Sequence, residues 1–113
     1  MDIETIRSIC TGFPGVTEDI KWGSDLCFMI GGKMFCVVSL NIPLKVSLKV
    51  AVEEFEELVS HPAIIPAPFV ARYQWIMVED LVVFDDNDWK YYITQSFNMV
   101  KEKLPKNKLA ELK

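Results

Sequence analysis

The chain has 113 residues, half of them hydrophobic, a length that suits one domain (1–113) and allows roughly two thirds of the unfolded surface to be buried. Its formal net charge is −4 and its pI about 4.9, which argues against a nucleic-acid binder that works by bulk positive charge. No apolar run reaches the length of a membrane span, and the acidic start Met1-Asp2-Ile3-Glu4 lacks the pattern of a secretory signal, so the expected compartment is the cytoplasm, with no membrane partner.

In chain order, residues 4–10 read as a short helix. Ile3, Ile6 and Cys10 recur at helical spacing and Asp2 is placed to cap it. Residues 17–22 read as a strand. Residues 26–30 and 33–40 flank Gly31-Gly32, the signal of a two-residue hairpin turn. Asn41-Ile42-Pro43 makes a second turn, and residues 44–50 alternate as a strand. Residues 53–60 read as a helix with Phe55, Leu58 and Val59 inward. The stretch 62–68 reads as a packed, extended connection, and 73–78 as a fifth strand. Residues 88–104 form the longest helix, with the stripe Trp89, Ile93, Phe97, Val100 and Leu104. Asp85, Asp86 and Asp88 stand at its positive end and Lys101 and Lys103 at its negative end, as the helix dipole favours. The layout is α+β: an antiparallel sheet of about five strands with helices packed on one face.

The two hairpin turns fix an expected register, with Cys27 opposite Cys36 and Cys36 opposite Leu48. Alternation then assigns Cys27, Met29, Met34, Cys36, Val38, Leu40, Leu44, Val46, Leu48 and Val50 to the face under the helices. The other face collects Phe28, Ile30, Lys33, Phe35, Val37, Ser39, Lys45, Ser47 and Lys49. Aromatic rings stack on bases and ammonium groups meet phosphates, so an open face of this kind suits a nucleic acid. The bland reading is a solvated face whose lysines discourage aggregation. Charge is uneven elsewhere. Residues 98–113 hold five lysines against Glu102 and Glu111, net +3, while 79–88 hold five carboxylates.

The run Phe13-Pro14-Gly15-Val16-Thr17-Glu18-Asp19 is followed by Trp22-Gly23, Gly31-Gly32-Lys33-Met34-Phe35, Leu48-Lys49, an Arg72 to Trp75 segment and Lys103-Leu104-Pro105-Lys106. This ordered set, from about Asp2 to Lys108, resembles the MmcQ/YjbR family. The resemblance implies a fold similar to the frataxin-like, CyaY-type α+β sandwich, with a "double wing" and predicted DNA binding. Members carry a His- and Lys-rich stretch before the tryptophan of the late strand. Here only Arg72 keeps that positive charge.

The remaining chemistry is sparse. Glu53, Glu54, Glu56 and Glu57 suggest a hard-cation site, but carboxylates at a helix start are what the dipole favours anyway. Asp85, Asp86 and Asp88 lack the glycine and distal glutamate of an EF-hand loop. Cys10, Cys27 and Cys36 form no CxxC pair and read as reduced thiols. A cross-strand Cys27–Cys36 redox pair is weighed against two buried small residues. His61, the one histidine, reads as a helix-end residue. Trp89 reads as core, while Trp22 or Trp75 could line a pocket. No Walker loop, GxGxxG, GxSxG or HExxH pattern is present.

The function expected from the sequence is therefore a non-enzymatic binding module without cofactor or metal. Its first form is weak, salt-dependent DNA binding through Lys33, Phe35, Lys45 and Lys49, with Arg72, Lys103 and Lys106 as phosphate contacts. The alternative is a protein- or small-ligand-binding module with an acidic partner. The second alternative is frataxin-like metal handling through the acidic helix.

Overall fold

The computed structural model describes residues 1–68, 70 and 73–111. Helix α1 (Ile3–Thr11) begins where Asp2 accepts the Thr5 N–H at 2.8 Å, the expected cap. Strands β1 (Val16–Lys21), β2 (Asp25–Ile30), β3 (Lys33–Ser39) and β4 (Lys45–Lys49) follow as an antiparallel meander. Helix α2 (Val52–Val59), strands β5 (Ile64–Pro66) and β6 (Trp75–Val78), a 3-10 turn (Leu81–Val83), α3 (Asp86–Glu102) and α4 (Lys106–Glu111) complete the described chain.

The sheet has six strands in the order β1-β2-β3-β4-β6-β5, one more than expected. The addition is β5, which the sequence presents as a proline-flanked connection. Its three residues pair with β6 at the sheet edge, where Pro66 leaves no ladder donor missing toward a neighbour.

The helix over the sheet is specified locally. Asp85 accepts the Asp88 N–H at 2.8 Å and the Asp88 carboxylate accepts the Asp85 N–H at 3.2 Å, a reciprocal capping box. From that start, Trp89, Ile93, Phe97 and Leu104 turn into the core and are buried. Trp89 packs without an orphan donor, because its indole N–H reaches the Leu81 carbonyl at 3.0 Å. At the far end Leu104 packs onto the β2–β3 turn. Gly31 has φ +58°, and a Cβ there would stand 2.8 Å from Leu104 Cδ1, so glycine serves both the turn and the contact.

The expected faces are correct in β4 and inverted in β2. Met29 pairs with Met34, but Phe28 pairs with Cys36, so Phe35 is an extra residue in β3, a β-bulge. Cys27 therefore faces Val37, not Cys36. The bulge flips side-chain parity on one side of itself. Phe28, Ile30, Phe35, Cys36, Val38, Val46 and Leu48 all lie in the core, fully buried. Met34 falls on the opposite face, where it lines a groove with Val37. Phe35 is held between Phe97 (5.3 Å) and Phe13 (6.1 Å), both edge-to-face.

A bulge leaves backbone groups outside the ladder, and these must be satisfied when buried. The buried Ser96 hydroxyl of α3 does this twice. It donates to the Phe35 carbonyl at 2.5 Å and accepts the Lys49 N–H at 3.0 Å. The helix thus clamps the strands at the point where their pairing is irregular.

Candidate functional site

The face of the sheet away from the helices carries the side chains that the bulge displaced. Met34 and Val37 of β3, Ser47 of β4 and Met77 of β6 form the floor of a groove. One wall is the segment between β5 and β6. Ala67 N–H bonds the Trp75 carbonyl at 3.0 Å and Val70 N–H bonds the Ala67 carbonyl at 3.3 Å. These bonds fold Ala67, Pro68 and Val70 over the sheet beside Trp75. The opposite wall is the β1–β2 turn, where Trp22 stands 71% exposed. The groove volume is ≈ 600 Å³, and among the described residues its charged lining side chain is Asp25.

Both walls hold backbone in the left-handed region. Trp22 has φ 53° and Gln74, next to Trp75, has φ 62°. A bulky residue in that region is strained and stays there only where its surroundings hold it. Both tryptophans left open by the sequence thus line one groove. The run Met34-Phe35-Cys36-Val37-Val38, five apolar residues without alternation, is the trace of the bulge in the sequence.

The lysine-and-phenylalanine platform is not assembled as expected. Phe35 is fully buried and presents no ring to a base, because the bulge turns it under α3; Phe28 is buried with it. Lys45 pairs with Glu79 at 3.5 Å. Lys49 donates to the Tyr73 carbonyl at 2.6 Å. Burial, and then the charge of Lys103, hold the Lys49 ammonium below its ordinary value. Lys33, Lys103 and Lys106 are exposed. Lys33 lies beside the β2–β3 turn against which Leu104 packs, so Lys33, Lys49 and Lys103 share one end of the molecule. Arg72 lies outside the described residues.

The other candidates are engaged elsewhere. Glu54 accepts from the Tyr91 hydroxyl at 3.0 Å and from Gln95 at 2.8 Å. Among the described residues no three His, Cys, Asp or Glu side chains stand together as a cation site. Burial, followed by the charge of Glu54, pushes the nearby Tyr92 hydroxyl up to about 12. His61 accepts the Ala63 N–H through Nδ1 at 3.0 Å, the helix-end role. The expected Cys27–Cys36 neighbours are apart, and the free Cys36 thiol of β3 instead lies beside the buried, free Cys10 thiol of α1. The Cys10 hydrogen bond and burial together hold the Cys36 thiol well above its ordinary value. Among the described residues no helix is long and apolar enough to cross a membrane.

A six-stranded antiparallel sheet with helices on one face and a groove on the other defines a small α+β domain with an open-face pocket. A family model described as YjbR matches residues 11–99. The chain belongs to the YjbR family. It is similar to the crystal structure of Deinococcus radiodurans protein DR2400, which carries the family domain DUF419. There the identity is 26% over 97% of this chain and 86% of that one, with a TM-score of 0.85. A Pseudomonas syringae protein shares the fold, at 18% identity over 88% of this chain and 98% of that one, with a TM-score of 0.71. None of the curated proteins compared matches the chain.

Proposed function

We propose that the chain is a non-enzymatic binding module whose site is the open-face groove, and that its ligand is a small, flat, apolar molecule bearing a cationic or hydrogen-bond-donating group. The observation that carries this is the described lining, in which Trp22, Trp75, Met34 and Met77 surround the carboxylate of Asp25. Concave apolar surface with a few convergent polar groups is what small-ligand sites are made of. Indole faces take flat apolar groups and cations, methionine adapts its shape to the occupant, and Asp25 sets the polarity. The strained Trp22 fits a residue kept for contact and not for packing. Catalysis is not part of the reading: the described lining offers Asp25 and the Ser47 hydroxyl, with no histidine or cysteine among them to complete a base–nucleophile pair.

The test is an amide and indole NMR titration with a panel of aromatic amines and the matching aromatic carboxylates. Amines are expected to move Trp22, Met34, Val37, Ser47 and Met77, with Asp25→Asn weakening them by about tenfold or more, the loss of one charge-assisted bond. Equal binding of amines and carboxylates, or no shift in the groove, would sink the assignment.

A second reading concerns nucleic acid, and the gathering of Lys33, Lys49 and Lys103 at one end supports it. With Phe35 in the core it reduces to phosphate contact by those lysines and Lys106, weak and steeply salt-dependent. Oligonucleotide shifts at Lys33 and Lys103 that fade with salt support this form. A low-salt titration that leaves those lysines unmoved removes it.

A further inference from the structure

The two edges of the sheet are finished differently. On one side β5 has three residues and ends in a proline, a blunted edge. On the other, β1 runs for six residues, of which Thr17, Glu18, Asp19 and Ile20 are exposed. Ile20 is a large apolar side chain 56% exposed. Its N–H bonds the Asp19 carboxylate at 2.9 Å, so it points away from β2, and residues 18 and 20 turn their backbone groups outward.

We infer that β1 is the self-association edge of this protein, pairing antiparallel with β1 of a second copy about a two-fold axis at Ile20. The inference goes beyond the groove reading and does not depend on it. A symmetric antiparallel pair sets each residue opposite one on the same face, and its centre decides which. A centre at residue 18 opposes Glu18 to Glu18. One at 19 opposes Asp19 to Asp19, one at 21 opposes Lys21 to Lys21, and one at 16 or 17 carries Ile20 past the start of the second copy's β1 and leaves it unpaired. Like charges directly opposite are destabilising. A centre at residue 20 sets Ile20 against Ile20 and Asp19 against Lys21 of the second copy, twice by symmetry. It also makes the Ile20 pair a hydrogen-bonded one. The Asp19 carboxylate, which occupies the Ile20 N–H in the single chain, passes to Lys21 of the second copy while the N–H passes to the Ile20 carbonyl. The result is a continuous twelve-stranded sheet, twice the six of one chain, with both helix layers on one side. Strand addition of this length gives a weak, reversible dimer.

Sedimentation velocity on the full chain over a rising concentration series tests this. The parent is expected to show a monomer–dimer equilibrium. Asp19→Lys and Lys21→Asp, each confirmed folded by circular dichroism, are each expected to weaken it by about tenfold or more, since each sets like charges opposite. An equimolar mixture of the two variants is expected to dimerise again, because every 19–21 contact is then opposite in charge. Should either variant fail to fold, Ile20→Pro removes an N–H that the β1–β2 ladder does not use and is expected to abolish the dimer. A parent that stays monomeric, single variants that associate like the parent, or a mixture that stays monomeric would each overturn the proposal.

Discussion

One face of the sheet is closed and the other is open, although the same strands supply both. On the closed face Phe28, Phe35, Cys36, Val38, Val46, Leu48, Ile76 and Val78 lie under the helix layer of α1, α2 and α3, with α2 over β6, and nothing is left exposed. On the open face Met34, Val37, Ser47 and Met77 lie under a partial cover of one loop and one turn. Close packing makes the first face sensitive to the loss of any methylene. The second tolerates change in stability and is correspondingly free to be specified by a ligand. On the proposed reading, the difference locates stability in one layer and recognition in the other.

The largest break in that division is expected from the closed face. Phe35→Ala removes a ring held by Phe13 and Phe97 and is expected to cost ~3–5 kcal/mol in urea unfolding. A cost near zero would place Phe35 outside the core. Ser96→Ala comes next. It leaves the Phe35 carbonyl and the Lys49 N–H without their shared partner, at ~1–3 kcal/mol. Its second signature is faster amide exchange at Lys49, which a simple packing defect would not single out.

The open face is expected to respond in the opposite sense. Trp22→Gly relieves a left-handed tryptophan that is mostly exposed. Stability is expected to hold or rise by up to ~1 kcal/mol, while amine binding in the groove is lost. A marked destabilisation would show that Trp22 is structural. The smallest effect is at the surface pair of Arg7 and Glu18, 2.7 Å apart. The Arg7 guanidinium holds the Glu18 carboxyl below its ordinary 4.5. A depressed carboxylate stabilises above the unfolded value, and that contribution is lost as pH falls through the folded one. Arg7→Ala is therefore expected to differ slightly from the parent at neutral pH and to converge with it in acid. A gap that persists in acid would mean the side chain acts by packing.

Much of the fold was legible in local signals. The Gly31-Gly32 turn, the Asp2 cap and the apolar stripe of α3 stand where the sequence places them, and α3 begins two residues earlier than read, at Asp86. Each depends on residues a few positions apart, so propensity, capping and period suffice. The alternation of β4 was equally readable, since no irregularity interrupts it. The candidate site was legible only in part. Val37 and Ser47 fall on the open face as expected and line the groove, whereas Phe35 does not. Lys45 and Lys49 remain on that face but are held by Glu79 and the Tyr73 carbonyl.

What the sequence by itself determined is the set of elements, their order and one strand's two faces, because these rest on short-range geometry. What only the tertiary structure decided is which face of β2 is buried and where the groove opens. Side-chain parity in a strand is lost at a single inserted residue. That insertion at Phe35 is stabilised by Ser96, 61 positions away, and by the Phe97 ring above it. Contacts at that separation exist only once α3 lies on the sheet.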